Sequence, residues 1–147
     1  MEELEGKRGG GCACGAVRFE VKEPFVAIGI CHCMQCQKLS GGGANYVALA
    51  PKSALTLLKG SPAVFESKGD SGATVGRAFC TDCGTPLWSL PAHEPFLPIK
   101  LGALDENEDL TPVMHIYVKS APDWHSLNDD LPKFAKMPPS AEATAQT

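Results

Sequence analysis

Seven cysteines fall in three tight clusters: Cys12-Ala-Cys14, Cys31-His-Cys33-Met-Gln-Cys36 and Cys80-Thr-Asp-Cys83. An odd number of thiols cannot pair fully within one chain, and neighbours this close make poor disulfide partners. The same spacings suit thiolates converging on a metal, zinc above all. Two clusters end in Cys-Gly, at Gly15 and Gly84, where a positive φ lets the chain turn and aim amides at sulfur. Cys36 is followed by Gln37-Lys38 instead, so the middle cluster is built differently. The economical partition places Cys12, Cys14, Cys80 and Cys83 around one zinc and Cys31, Cys33 and Cys36 around a second.

The two sets predict different chemistry. Four thiolates close a tetrahedral structural site, and its binding free energy, roughly 10–16 kcal/mol in peptides, becomes folding free energy. Three thiolates leave one position open. A metal so neutralised is a poor activator of water but takes up a further soft donor, and a substrate thiol would lose its proton on coordination. The expected chemistry is thiol activation rather than hydrolysis. The alternative is a second structural zinc completed by one of the four histidines, His32, His93, His115 or His125. In an extended segment Cys31 and Cys33 share a face and His32 points away from it.

The elements that must position these groups read as β. Val17, Phe19 and Val21 alternate on one face of the run 16–21. Short branched and aromatic runs follow at 25–30, 45–50, 55–58, 63–67, 75–79, 87–90, 96–101 and 113–119, with Gly, Pro, Asp and Ser between them. Residues 35–40 read as a single helical turn. Many short strands argue an all-β sandwich or open barrel of antiparallel strands in one domain, 10–136. Residues 1–9 read as a loose arm and 137–147 as a disordered Pro/Ala/Thr tail.

Composition excludes several classes. The 147 residues carry a formal charge of −4, 44% hydrophobic and 20% charged residues, ordinary for a globular protein and without the basic excess of nucleic-acid or membrane-surface binders. No apolar run is long enough to span a bilayer. Reduced thiols without a visible export signal predict a cytoplasmic protein.

The chain resembles the glutathione-dependent formaldehyde-activating enzyme family, which shares its fold with centromere protein V. The resemblance is carried by Gly11-Cys-Ala-Cys-Gly-Ala-Val-Arg-Phe19, Cys31-His-Cys-Met-Gln-Cys-Gln-Lys38 with Ser40-Gly41, and Phe79-Cys-Thr-Asp-Cys-Gly-Thr-Pro-Leu87. Gly102-Ala-Leu-Asp105, His115-Ile-Tyr-Val-Lys-Ser-Ala-Pro-Asp-Trp124 and Leu131-Pro-Lys-Phe134 complete it. It implies an Mss4-like fold of two stacked sheets, the metal partition above with two zinc ions per chain, and a carbon–sulfur lyase joining formaldehyde to glutathione. In that reading Cys31, Cys33 and Cys36 are the catalytic metal ligands and a small thiol such as glutathione is the partner. Two other classes stay in view: a zinc-stabilised binding module without turnover, and a redox enzyme of the methionine sulfoxide reductase type. The latter needs a metal-free reactive cysteine that the partition does not leave.

Other residues have a functional and a plain reading. Ser40, Gly41 and the glycines after them offer bare backbone to a peptide-like substrate, or form a turn between strands. Lys38 and Arg77 could meet a substrate carboxylate, or be solvated. Arg18 reads as an outer-face charge, Asp105 as a turn former, and Phe19, Phe79 and Trp88 as core. Trp124 could pack over the metal region, and His125 reads as an incidental polar group.

Overall fold

A computed structural model describes residues 6–138. The fold is all-β, with open sheets, one short helix and three single 3-10 turns among the described residues. The described residues fall into two compact units that interleave in sequence, one of residues 6–27 and 48–110, the other of 28–47 and 111–138.

In the first unit β1 (Lys7–Gly11) pairs antiparallel with β2 (Arg18–Lys22), and β2 with β5 (Leu55–Lys59). A second ladder runs in the order β9 (Phe96–Lys100), β8 (Pro86–Pro91), β7 (Thr74–Phe79), β6 (Ala63–Lys68). The expected alternation holds: Val17, Phe19 and Val21 are buried and pack with Leu87, Trp88, Leu97 and Ile99. Phe19 of one sheet meets Trp88 of the other edge-on at 5.3 Å between centroids, so the sheets close over a shared core.

The loose N-terminal arm is corrected by this arrangement. Residues 7–11 form a strand, although three consecutive glycines have low β-propensity. A Cβ at Gly10 would lie 2.5 Å from both the Ala103 carbonyl oxygen and the Phe19 ring. Glycine is there because the core aromatic and a neighbouring backbone press directly on the main chain. Residues 1–5, and the tail from residue 139 on, lie outside the described residues.

In the second unit β3 (Ala27–Cys31) pairs parallel with β10 (Met114–Ile116), setting His115 opposite Ile30 and Ile116 opposite Cys31. The expected strand over 113–119 ends after Ile116, because Tyr117 adopts a left-handed φ of 58° and turns the chain into the 3-10 turn Val118–Ser120. Between β3 and β4 (Asn45–Pro51) lies α1 (Met34–Ser40), longer than the single turn expected. Cys33 caps its start by accepting the Cys36 amide on Sγ, and Gly41, at φ 84°, closes its end.

Candidate metal centres and the histidine train

The four-thiol set lies wholly in the first unit. Cys12 and Cys14 sit in the turn between β1 and β2, Cys80 and Cys83 in the turn between β7 and β8, and their sulfurs all lie within 4.8 Å of one another. Gly15 and Gly84 have φ of 83° and 79°, as the Cys-Gly pairs require. The Val17 amide donates to Cys12 Sγ at 3.2 Å, and the Gly84 amide closes its turn onto the Cys80 carbonyl at 2.8 Å. Cys12 and Cys80 are buried while Cys14 and Cys83 are exposed, so the cluster lies at the surface where two turns meet. The Thr85 hydroxyl, then backbone amides, push the Cys83 thiol down to about 5.

The three-thiol set lies wholly in the second unit. Cys31 ends β3, Cys33 caps α1 and Cys36 is its one buried residue; their sulfurs also lie within 4.8 Å of one another. Among the described residues no histidine, aspartate or glutamate joins them at that distance. Cys33 is held far below the usual thiol range by hydrogen bonds from Cys31 and Cys36 and by the amides of Cys36 and Gln35. Cys31 is pushed up by the same sharing with Cys33 and by burial. Asn45, buried on β4, donates from Nδ2 to Cys36 Sγ at 3.3 Å. Both donor sets are soft, converge as a tetrahedral thiophilic metal requires, and carry N–H donors to sulfur.

His32 leaves the thiol face as alternation requires. Its ring is fully buried, with Nε2 2.8 Å from His115 Nδ1, and His115 Nε2 lies 2.8 Å from Asp129 Oδ2. His125 stands edge-on to His32 at 5.1 Å between centroids, and Trp124, 70% exposed, flanks His125. Burial, followed by the neighbouring His115, pushes His32 down to about 4, so its ring is neutral near pH 7. His115, then Lys133, hold the Asp129 carboxyl at about 2. Sequence reading missed Asp129 and Asn45, and named His115 only as a possible fourth zinc ligand, a place it does not take; nothing local distinguishes it from a solvated histidine.

The remaining candidates are placed as follows. Lys38 is exposed in the last turn of α1. Ser40 turns its hydroxyl onto the main-chain oxygens of its own loop, Gln37, Gly42 and Gly43, at 2.9–3.2 Å. Arg77 sits on β7 in the first unit. Arg18 and Asp105 are more than a surface charge and a turn residue: they form a two-pronged ion pair, with Nη1 to Oδ1 at 3.0 Å.

The profile of the family described as glutathione-dependent formaldehyde-activating enzyme matches residues 7–120, which include all seven cysteines. The chain belongs to this family. A relative from Halomonas elongata, named "Putative glutathione-dependent formaldehyde-activating enzyme", is 30% identical over 121 residues, covering 78% of this chain and 77% of the relative. A crystal structure of a Rhodobacter sphaeroides protein superposes with a TM-score of 0.53 at 24% identity, over 66% of this chain and 87% of that one, a likeness of fold. The match ends at residue 120, and Asp129 lies beyond it. Among the described residues no helix is long and apolar enough to cross a membrane.

Proposed function

We propose that this chain is a cytoplasmic zinc-dependent carbon–sulfur lyase that joins glutathione to formaldehyde, or releases them from the adduct. One observation carries the reading: three convergent thiols without a fourth His, Cys, Asp or Glu donor within reach among the described residues, beside a separate four-thiol set. Zinc held by Cys31, Cys33 and Cys36 would supply thiol acidification, making thiolate accessible at neutral pH. In the reaction the glutathione S–H bond breaks, sulfur forms a bond to the formaldehyde carbon, and the carbonyl oxygen takes up a proton as the hydroxyl of S-hydroxymethylglutathione. Cys33, pinned at the start of α1, and Cys36, pinned by Asn45, hold the donor set in place. The last turn of α1 and the glycine after it, with Lys38 and Ser40 exposed and Gly41 bare, form the segment we assign to the rest of a peptide-like thiol. Zinc in the four-thiol set would have a structural role, since it ties together turns distant in sequence. Free thiols throughout the described chain accord with a reducing compartment.

Titration calorimetry in buffers of different ionisation enthalpy tests the reading. Glutathione should bind with proton release and S-methylglutathione far more weakly, and the enzyme should speed adduct formation from glutathione and formaldehyde. Equal binding of both ligands without proton release would leave a binding module that does not engage sulfur.

A further inference from the structure

We propose that Asp129 acts through His115 as a positioning residue for the three-thiol site, holding His32 as the tautomer protonated at Nε2 and so anchoring the turn that carries Cys31 and Cys33. The direction of the train follows from its end. Asp129 is a carboxylate and can only accept, so His115 Nε2 carries a hydrogen. A hydrogen on His115 Nδ1 as well would face His32 Nε2 and force the His32 hydrogen onto Nδ1, a buried atom with no acceptor; His115 Nδ1 therefore accepts, and His32 Nε2, 2.8 Å away, donates to it. His32 Nδ1 is left as a bare lone pair, and this buried atom has no hydrogen-bond partner in the structure.

His32 is tied at its main chain as well. Its amide donates to the Ile116 carbonyl at 3.0 Å, and its carbonyl accepts from Gln37 Nε2 at 2.9 Å. With the ring also fixed, the peptide between Cys31 and Cys33 cannot rotate without breaking one of these bonds. The geometry of two of the three sulfurs thereby depends on a half-exposed carboxylate 97 residues downstream of His32. Outer partners of this kind govern metal affinity without touching the metal. The inference rests on the reading of the three thiols as metal ligands, but its tautomer arm is independent of that reading.

The test uses the ¹⁵N-labelled full chain and its Asp129→Asn and Asp129→Ala variants, with long-range ¹H–¹⁵N spectra of the histidine rings. In the wild type both His32 and His115 should carry hydrogen on Nε2. Asp129 Oδ1 already accepts from the Leu131 amide at 3.1 Å and the Lys133 ammonium at 3.0 Å. In Asp129→Asn the amide oxygen must stay with those two donors, so its NH₂ faces His115. Both rings should then invert to the Nδ1-protonated form, whereas Asp129→Ala should remove the director without inverting them. Cobalt(II), followed by its thiolate absorption, should bind the three-thiol site about 10–100-fold more weakly in Asp129→Asn and leave the four-thiol site unchanged. Hydrogen on His32 Nδ1 in the wild type, tautomers unmoved in Asp129→Asn, or equal loss at both metal sites would overturn the proposal. Inversion in a chain whose three thiols take up no cobalt would uphold the train and overturn the metal reading instead.

Discussion

Asn45 presents its side-chain N–H to Cys36 Sγ at 3.3 Å, inside the protein and nine residues further along the chain. A buried amide directed at sulfur stabilises negative charge there and restrains the sulfur's direction. Asn45→Ala should weaken zinc at the three-thiol site by roughly tenfold, and Asn45→Asp should weaken it further by setting a carboxylate against thiolate. Competition with a chromophoric chelator measures both; unchanged affinity in both variants would show the contact to be incidental.

The two thiol sets should separate on mutation. Zinc in the four-thiol set would tie the β1–β2 turn to the β7–β8 turn, so Cys83→Ser should lower the melting temperature of the zinc-loaded chain strongly. Cys36→Ser should leave a folded chain with impaired thiol binding. Thermal melts of the zinc-loaded variants decide it: equal losses would make both sites structural.

Gly10→Ala should destabilise the first unit by about 1–3 kcal/mol, because the added methyl meets backbone and the rigid Phe19 ring at 2.5 Å. Gly102→Ala is the control, since a Cβ there meets nothing within 4 Å and should change stability by less than about 0.5 kcal/mol. Urea unfolding midpoints compare the two.

Acid should act partly through Asp129. Its carboxyl is held at about 2 in the folded chain by His115, then Lys133, against an ordinary value of about 3.9 unfolded. A depressed folded value means that the unfolded state binds the proton first as the solution is acidified. The stabilisation is therefore complete above about pH 4 and is lost as pH falls towards about 2. The difference in melting temperature between wild type and Asp129→Asn should shrink as the pH falls across that interval.

The amino-acid sequence by itself determined what depends on neighbours along the chain. Cysteine spacing and strand alternation are local covalent geometry, so the four-plus-three partition, the exit of His32 from the thiol face and the burial of Val17, Phe19 and Val21 were all legible. Turn residues marked the strand limits within about two residues through most of the chain.

What only the tertiary structure decided are the partnerships made at long separation. The parallel register of β3 with β10 sets His115 beside His32, 83 residues apart, and the chain returning at Asp129 gives that pair its direction. No periodicity announces such a contact, because a histidine that will be buried and one that will be solvated look alike until their neighbours arrive. The strand at residues 7–11 was hidden for a related reason: its glycines have little local preference for β structure, and their fitness lies in the Phe19 ring and the Ala103 carbonyl that press against Gly10. Arg18 and Asp105 likewise became an ion pair only when β2 and the loop after β9 were brought together. Local chemistry thus prescribed which groups could bind metal, and long-range packing chose which others would hold them.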